Sequence, residues 1–287
     1  MRKWWGIWNQ MTKPRVTSLV LATVFPGLYL DSQTSPSWDF VLFVLLGTYF
    51  MGSSSFIFNQ YVEREKDSKM YRTKERPIPS GLVSPNQALV LGFGSLAISF
   101  LFFFYFVNLL AFLCSFAALV LYVFLYTIWL KPRTEQNIVI GGISGCVGPL
   151  IGYAASTNSL PLPAWVLVLI IFLWTPAHFW SLAIFLKEDY EFAGIPMMPV
   201  VSGIGKTVKQ IFAYSVLYSV ACGLFFLVQP DLGPAYLVVV VFLTMILLSF
   251  ARYLWLNPDP KLAKRFFFFT ILHLFLVNLT IVLDTRF

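Results

Sequence analysis

Long apolar runs, interrupted by short polar stretches, fill the chain from residue 16 to residue 283. About 20 largely apolar helical residues cross a bilayer core, where every backbone polar group must be satisfied internally. The runs at 16–30, 38–58, 87–107, 109–130, 137–156, 163–186, 207–228, 234–254 and 266–283 predict nine such helices. Only Asn108 separates the third from the fourth. Fused, the two would form a helix of roughly forty residues, too long for one crossing, so a tight turn is predicted at Val107-Asn108. No repeat or low-complexity tract interrupts this pattern. The predicted fold is all-α: a polytopic membrane bundle of nine transmembrane helices, one domain over 1–287.

Composition adds exclusions. With 58% hydrophobic and 11% charged residues, the chain has less than half of the roughly 25% charge usual in soluble domains. A soluble enzyme, a disordered chain and a secreted disulfide scaffold are excluded. Cys114, Cys146 and Cys222 stand singly in apolar runs and read as small buried hydrophobes.

Charge fixes the expected orientation. With a cytoplasmic amino terminus, nineteen of the twenty Lys and Arg fall in inside loops, and only Arg286 lies outside. Asp31, Asp39, Asp231 and Asp284 fall on the outer side. The net charge of +7 therefore reads as topology and anionic headgroups, with no nucleic-acid partner. The opening MRKWWGIWNQMTKPR is basic and aromatic but lacks a small-residue cleavage site, so the first apolar run is expected to be a span.

Two inside stretches, 59–86 and 187–206, are more polar than a connection requires. Asn59, Glu63 and Asp67 are spaced by four, one oxygen-bearing stripe if the second helix continues. Mg²⁺ is commonly held by one or two carboxylates plus phosphate oxygens. Lys69, Arg72, Lys74 and Arg76 follow, cations suited to phosphate. The bland alternative is a solvated loop in which Glu63–Lys66 and Glu65–Lys69 pair; this stripe alone leaves both readings open. In the sixth run, Pro176 predicts a kink, with His178 close to the inside end and Glu188, Asp189 and Glu191 beyond it. Two acidic patches on one face suit a metal–diphosphate and ionisation of an allylic diphosphate, with an apolar bundle around the prenyl tail.

At this point the blocks resemble a known family. Asn59–Asp67 with Met70-Tyr71-Arg72-Thr73 and Arg76-Pro77-Ile78-Pro79-Ser80-Gly81 is similar to the first signature of the UbiA-type intramembrane prenyltransferases, in particular the heme O synthase branch. Tyr126–Thr134 with Asn137–Gly142, Trp174–Trp180, Lys187–Tyr190 and Ala193–Val200 resemble that branch as well. The chain departs from the family at Glu63, where Asp is usual, and at Ala177, where a second proline is common.

The resemblance implies farnesyl transfer from farnesyl diphosphate to a vinyl group of heme B, with water added. It implies that Asn59, Glu63, Asp67 and Asp189 organise Mg²⁺ and diphosphate. Arg72, Arg76 and Lys69 would neutralise the leaving group, with Glu188 at the same site. Lys131 and Arg133, otherwise positive-inside anchors, become contacts for diphosphate or heme propionates. His178, otherwise a core histidine, becomes a ligand to heme iron or a group acting on the acceptor; His273 keeps the core reading. Tyr126 and Trp129 are expected in the interfacial belt, and the Gly141–Gly145 run in close helix packing. A terminal oxidase assembly or heme-modifying enzyme is the implied partner. The membrane is a bacterial inner membrane or a mitochondrial one, and the compact chain without a transit segment points to the bacterial one. The alternatives are another acceptor on the same fold, a quinone precursor or a chlorophyllide-like ring, and a transporter. A transporter would place charges near the bilayer midplane, whereas here they crowd at one face.

Overall fold

The structure is a computed structural model that describes residues 2–31, 33, 35–71 and 73–286, the side chains of Arg2, Lys3 and Arg286 aside. Its elements in chain order are α1 (Arg2–Thr12), α2 (Pro14–Tyr29), α3 (Trp38–Asp67), α4 (Pro85–Phe106) and α5 (Leu109–Val120), which continues as a π-helix (Leu121–Leu130). Then come α6 (Asn137–Gly141), a 3₁₀ turn (Gly142–Gly145), α7 (Gly148–Thr157), α8 (Leu162–Phe185), α9 (Lys187–Phe192) and α10 (Met198–Val201). The chain ends with α11 (Gly203–Val228), α12 (Pro234–Leu256) and α13 (Pro260–Arg286). No strand occurs among the described residues.

Among the described residues, eight helices are long and apolar enough to cross a membrane. The first expected span corresponds to α2, whose 16 residues extend about 24 Å, short of the roughly 30 Å of a bilayer core. It is nonetheless a full member of the bundle, packed along α7 and against α13. The protein is a multi-pass membrane protein, and the nine expected runs correspond to these eight spans plus α2.

Local chemistry sets the boundaries. Ser84 and Gln87 form a reciprocal capping box ahead of Pro85 at the start of α4. The expected turn at Val107-Asn108 is present: the Asn108 side chain accepts from the Ala111 amide and donates to the carbonyls of Ala154 (2.8 Å) and Ala155 (3.1 Å). One polar residue thus caps α5 and satisfies the end of α7. α8 runs on as helix through Pro176.

Packing places α8 centrally, against α11 and α13, while α3 pairs with α4 and α2 with α7. The α2–α7 contact depends on glycine. A Cβ on Gly152 would stand 2.1 Å from the Val24 carbonyl oxygen, and one on Gly27 2.1 Å from that of Pro149. Small residues let helix backbones meet this closely in a membrane. The Gly141–Gly145 run serves packing too: Gly141 faces the Tyr126 ring and Gly142 faces Thr175. All three cysteines are free and buried.

α1 was not anticipated as a separate helix. Ile7 and Met11 are buried while Trp4 and Trp5 are exposed, an amphipathic arrangement of the kind found at interfaces. Gln60 fixes its end, donating to the carbonyls of Gln10 (3.1 Å) and Met11 (2.9 Å).

Candidate active site

α3 continues well past its apolar run, and its last turns carry the predicted stripe: Asn59, Glu63 and Asp67, all buried. Each meets a partner from elsewhere in the chain. Asn59 donates to Thr127 Oγ1 at 3.1 Å. Lys131 pairs with Glu63. Arg76 Nη1 lies 2.6 Å from Asp67 Oδ2, and the Thr73 hydroxyl donates to the Asp67 carbonyl, so the loop after α3 folds back onto its end. The local pairs of the solvated-loop reading do not form: Glu63 is paired with Lys131, and Glu65 with Arg64 at 3.6 Å.

The π-helix supplies the second wall. Its wider turn brings residues four and five apart into line, as in the bond from the Lys131 amide to the Tyr126 carbonyl at 2.9 Å. The Thr127 hydroxyl donates to the Tyr122 carbonyl at 2.8 Å while accepting from Asn59. Thr127 and Lys131 therefore reach the α3 stripe from one face. Tyr126 stacks on Tyr122 and covers Gly141, turned inward rather than into an interfacial belt, while Trp129 is exposed.

A cavity of about 140 Å³ lies between these walls, lined by Glu63, Lys66, Asp67, Thr127, Lys131 and Ile195 among others. A neighbouring cavity of about 400 Å³ is lined by Met70, Tyr71, Glu188, Asp189 and Phe192. Met70 lines both, so the two polar loops meet. Asp189 belongs to the second cavity, across Met70 from the α3 carboxylates.

The remaining candidates divide. Lys69 is exposed on the turn after α3. Arg72 lies outside the described residues. Arg133 donates to the carbonyls of Ile128 (3.0 Å) and Trp129 (2.9 Å), capping the π-helix. His178 is buried between α8 and α13, stacked between Trp174 and Phe267, with Nδ1 2.8 Å from Thr270 Oγ1. Its ring therefore joins two helices away from the acidic cavities. His273 is likewise a core residue, 3.2 Å from the Tyr218 hydroxyl.

One residue of the cluster was missed in the sequence. Lys13, at the corner between α1 and α2, adopts left-handed backbone with φ 48°, uncommon for a residue with a Cβ. Its ammonium lies 5.1 Å from the Phe56 ring centroid and within the field of the cluster. Burial, then Arg76, lowers it to about 7, against the opposing pull of Glu63 and Asp67. The signal available was a lone Lys-Pro at the start of an apolar run, also the ordinary signature of a helix start.

Among the described residues no three His, Cys, Asp or Glu side chains are gathered to hold a metal unaided. The donors that are present, the Asn59 amide and the Glu63 and Asp67 carboxylates, are hard oxygens. They fit a magnesium ion completed by phosphate oxygens, not a closed protein cage.

A profile of the UbiA prenyltransferase family matches residues 20–277. The chain belongs to this family. A protein of Leptospira biflexa named protoheme IX farnesyltransferase is 63% identical over 280 residues, covering 98% of this chain and 99% of its own. One of the same name from Leptospira interrogans is 59% identical, covering 96% of each chain. Among solved structures, a digeranylgeranylglyceryl phosphate synthase superposes with a TM-score of 0.79 over 99% of each chain at 18% identity. A UbiA homologue from Archaeoglobus fulgidus bound to GPP and Mg²⁺ does so with 0.68, over 96% of this chain and 99% of its own, at 15% identity. These last two establish the UbiA fold. In this UbiA member the paired carboxylates and cations lie where the ends of α3 and the π-helix meet.

Proposed function

We propose that the chain transfers the farnesyl group of farnesyl diphosphate to a vinyl group of heme B. The overall change is farnesyl diphosphate plus heme B plus water to heme O plus diphosphate. The observation that carries this reading is near-identical length and 63% identity to a protein named for that activity, over 98% of the chain. The alternation of buried carboxylates with cations around one cavity supports the chemistry.

In this reading Asn59, Glu63, Asp67 and Asp189 would hold Mg²⁺. Bound there, the ion supplies electrophilic assistance to departure of the diphosphate. Arg76, Lys131 and Lys13, together with Lys69 and Arg72 as the family resemblance implies, stabilise the negative charge as the allylic C–O bond breaks. The apolar bundle keeps water from the allylic cation until the vinyl carbon has captured it. Water then adds to the carbon left cationic beside the macrocycle and loses a proton, giving the hydroxyl of the product. Glu188 lines the second cavity beside Asp189, Arg133 would contact diphosphate or heme propionates from the connection after Lys131, and His178 holds α8 to α13 through Thr270. The amino terminus and both polar loops face the cytoplasm, and the carboxyl terminus faces outward, in a bacterial inner membrane.

The test is incubation of membranes containing the chain with labelled farnesyl diphosphate and either heme B or an aromatic acid. Label in a hydroxylated heme product, dependent on Mg²⁺, is expected. Label only in the aromatic acid would move the chain to another acceptor. Absence of transfer to either, with flux of a solute in sealed vesicles, would replace the enzyme by a transporter.

A further inference from the structure

Glu135 lies four residues after Lys131, on the connection from the π-helix to α6. That connection is stiffened locally: Arg133 caps the π-helix, Thr134 Oγ1 accepts from the Gln136 amide, and Asn137 donates to the Thr134 carbonyl at 2.7 Å. From it, Glu135 Oε2 accepts from the Ser202 hydroxyl at 2.6 Å. Its Oε1 lies 3.6 Å from Lys206 Nζ, which also donates to Ser202 Oγ at 3.1 Å. Ser202 and Lys206 stand where the second polar loop ends, on either side of Gly203, whose φ is 79°.

This three-way contact joins two walls of the smaller cavity. Thr127, Lys131 and Pro132 line it from the side of the π-helix, and Ile195 lines it from the second polar loop. Glu135 lines neither cavity. A half-exposed lysine pair is worth little alone, whereas a hydroxyl bonded to a carboxylate at short distance is charge-assisted. The clasp therefore depends on Glu135 and Ser202 more than on Lys206.

We propose that Glu135 is a positioning residue for the prenyl diphosphate: by holding the second polar loop against the Lys131 segment, it sets the width of the cavity that receives the leaving group. This rests on the reading that this cavity takes the diphosphate. The experiment is steady-state kinetics in nanodiscs for the wild type, E135A, S202A, K206A and the reversed pair E135K/K206E. In the reversed pair the new ammonium can donate to Ser202 Oγ while the serine hydroxyl donates to the new carboxylate.

The expected result is a roughly five- to tenfold rise in KM for farnesyl diphosphate in E135A and S202A. K206A gives a smaller rise, kcat and the heme KM stay within about twofold, and the reversed pair recovers most of the loss. With a wild type that turns over, an unchanged KM in E135A and S202A, or equal losses in kcat and both KM values, overturns the clasp. A wild type without turnover overturns the parent reading instead. Should the charge variants fold poorly, E135Q with S202A decides. The amide keeps an oxygen for the Ser202 hydroxyl but loses the charge, so its KM should rise less than that of S202A, and wild-type KM in both variants overturns the proposal.

Discussion

Glu63 and Lys131 are 68 residues apart in sequence and form an ion pair at the mouth of the bundle. Neither has its sequence neighbour as partner. One helix ends in a carboxylate stripe, another in a widened turn, and the pair fastens the two ends together. In the proposed reading, Lys131 would be drawn to an arriving diphosphate while Glu63 turned to a divalent ion, which would keep both charges compensated before and after binding.

Removal of the carboxylates should separate chemistry from acceptor retention. Asp67→Ala and Asp189→Ala are each expected to lower turnover by about 10²- to 10³-fold, the range for loss of one electrostatic contact to a developing charge. Heme retained by the purified protein, read from its absorbance, should change little. Normal Mg²⁺-dependent transfer in both variants would remove these residues from the site.

Lys13 carries a pH dependence. Its folded-state value is about 7 against an ordinary 10.5, so between these limits the unfolded chain binds the extra proton and stability rises with pH. Activity follows the opposite sense. In the proposed reading the ammonium, charged below about pH 7, would attract diphosphate, and above that pH the attraction would fade. KM for farnesyl diphosphate should therefore rise between about pH 6 and pH 8 in the wild type. Lys13→Arg, whose guanidinium stays protonated, should show a flatter profile. Superimposable profiles would exclude the role.

Thr127→Val tests the π-helix. The substitution keeps shape but leaves the Asn59 amide without its Thr127 partner and removes the hydroxyl bond to the Tyr122 carbonyl. Loss of about 1–3 kcal/mol in unfolding stability is expected in detergent, with a larger proportional fall in kcat than in the comparable Thr244→Val, whose hydroxyl only bonds its own helix.

Gly152→Val should loosen α2 from α7. The added Cβ meets backbone at 2.1 Å and cannot be accommodated by a side-chain rotation. Overpacking of this kind costs about 1–3 kcal/mol or more. Gly94→Ala, with nothing within 4 Å of the new Cβ, should be neutral or slightly stabilising. Thermal unfolding of the two variants checks the contrast.

The spans were legible because lipid demands long apolar runs, and Asn108 marked its turn because a cap needs a side-chain oxygen. The α3 stripe was legible from its spacing of four. Lys131 as the partner of Glu63 was not, since its alignment depends on a π-helical pitch that apolar composition does not encode. α1 and Lys13 were hidden for a related reason. A left-handed corner turns the chain there, and it is held by Gln60 from a distance of some fifty residues in sequence. His178 was legible only as a residue type; its stacking on Phe267 and its contact with Thr270 come from a helix about ninety residues away and carry no local signal.

Gln60 gripping the end of α1 has a practical meaning for anyone handling the protein. The carbonyls it holds belong to Gln10 and Met11, three and two residues before the lysine that reaches the acidic cluster. An affinity tag or fluorescent fusion attached ahead of α1 pulls directly on that anchorage. Labels belong at the other end of the polypeptide, beyond α13.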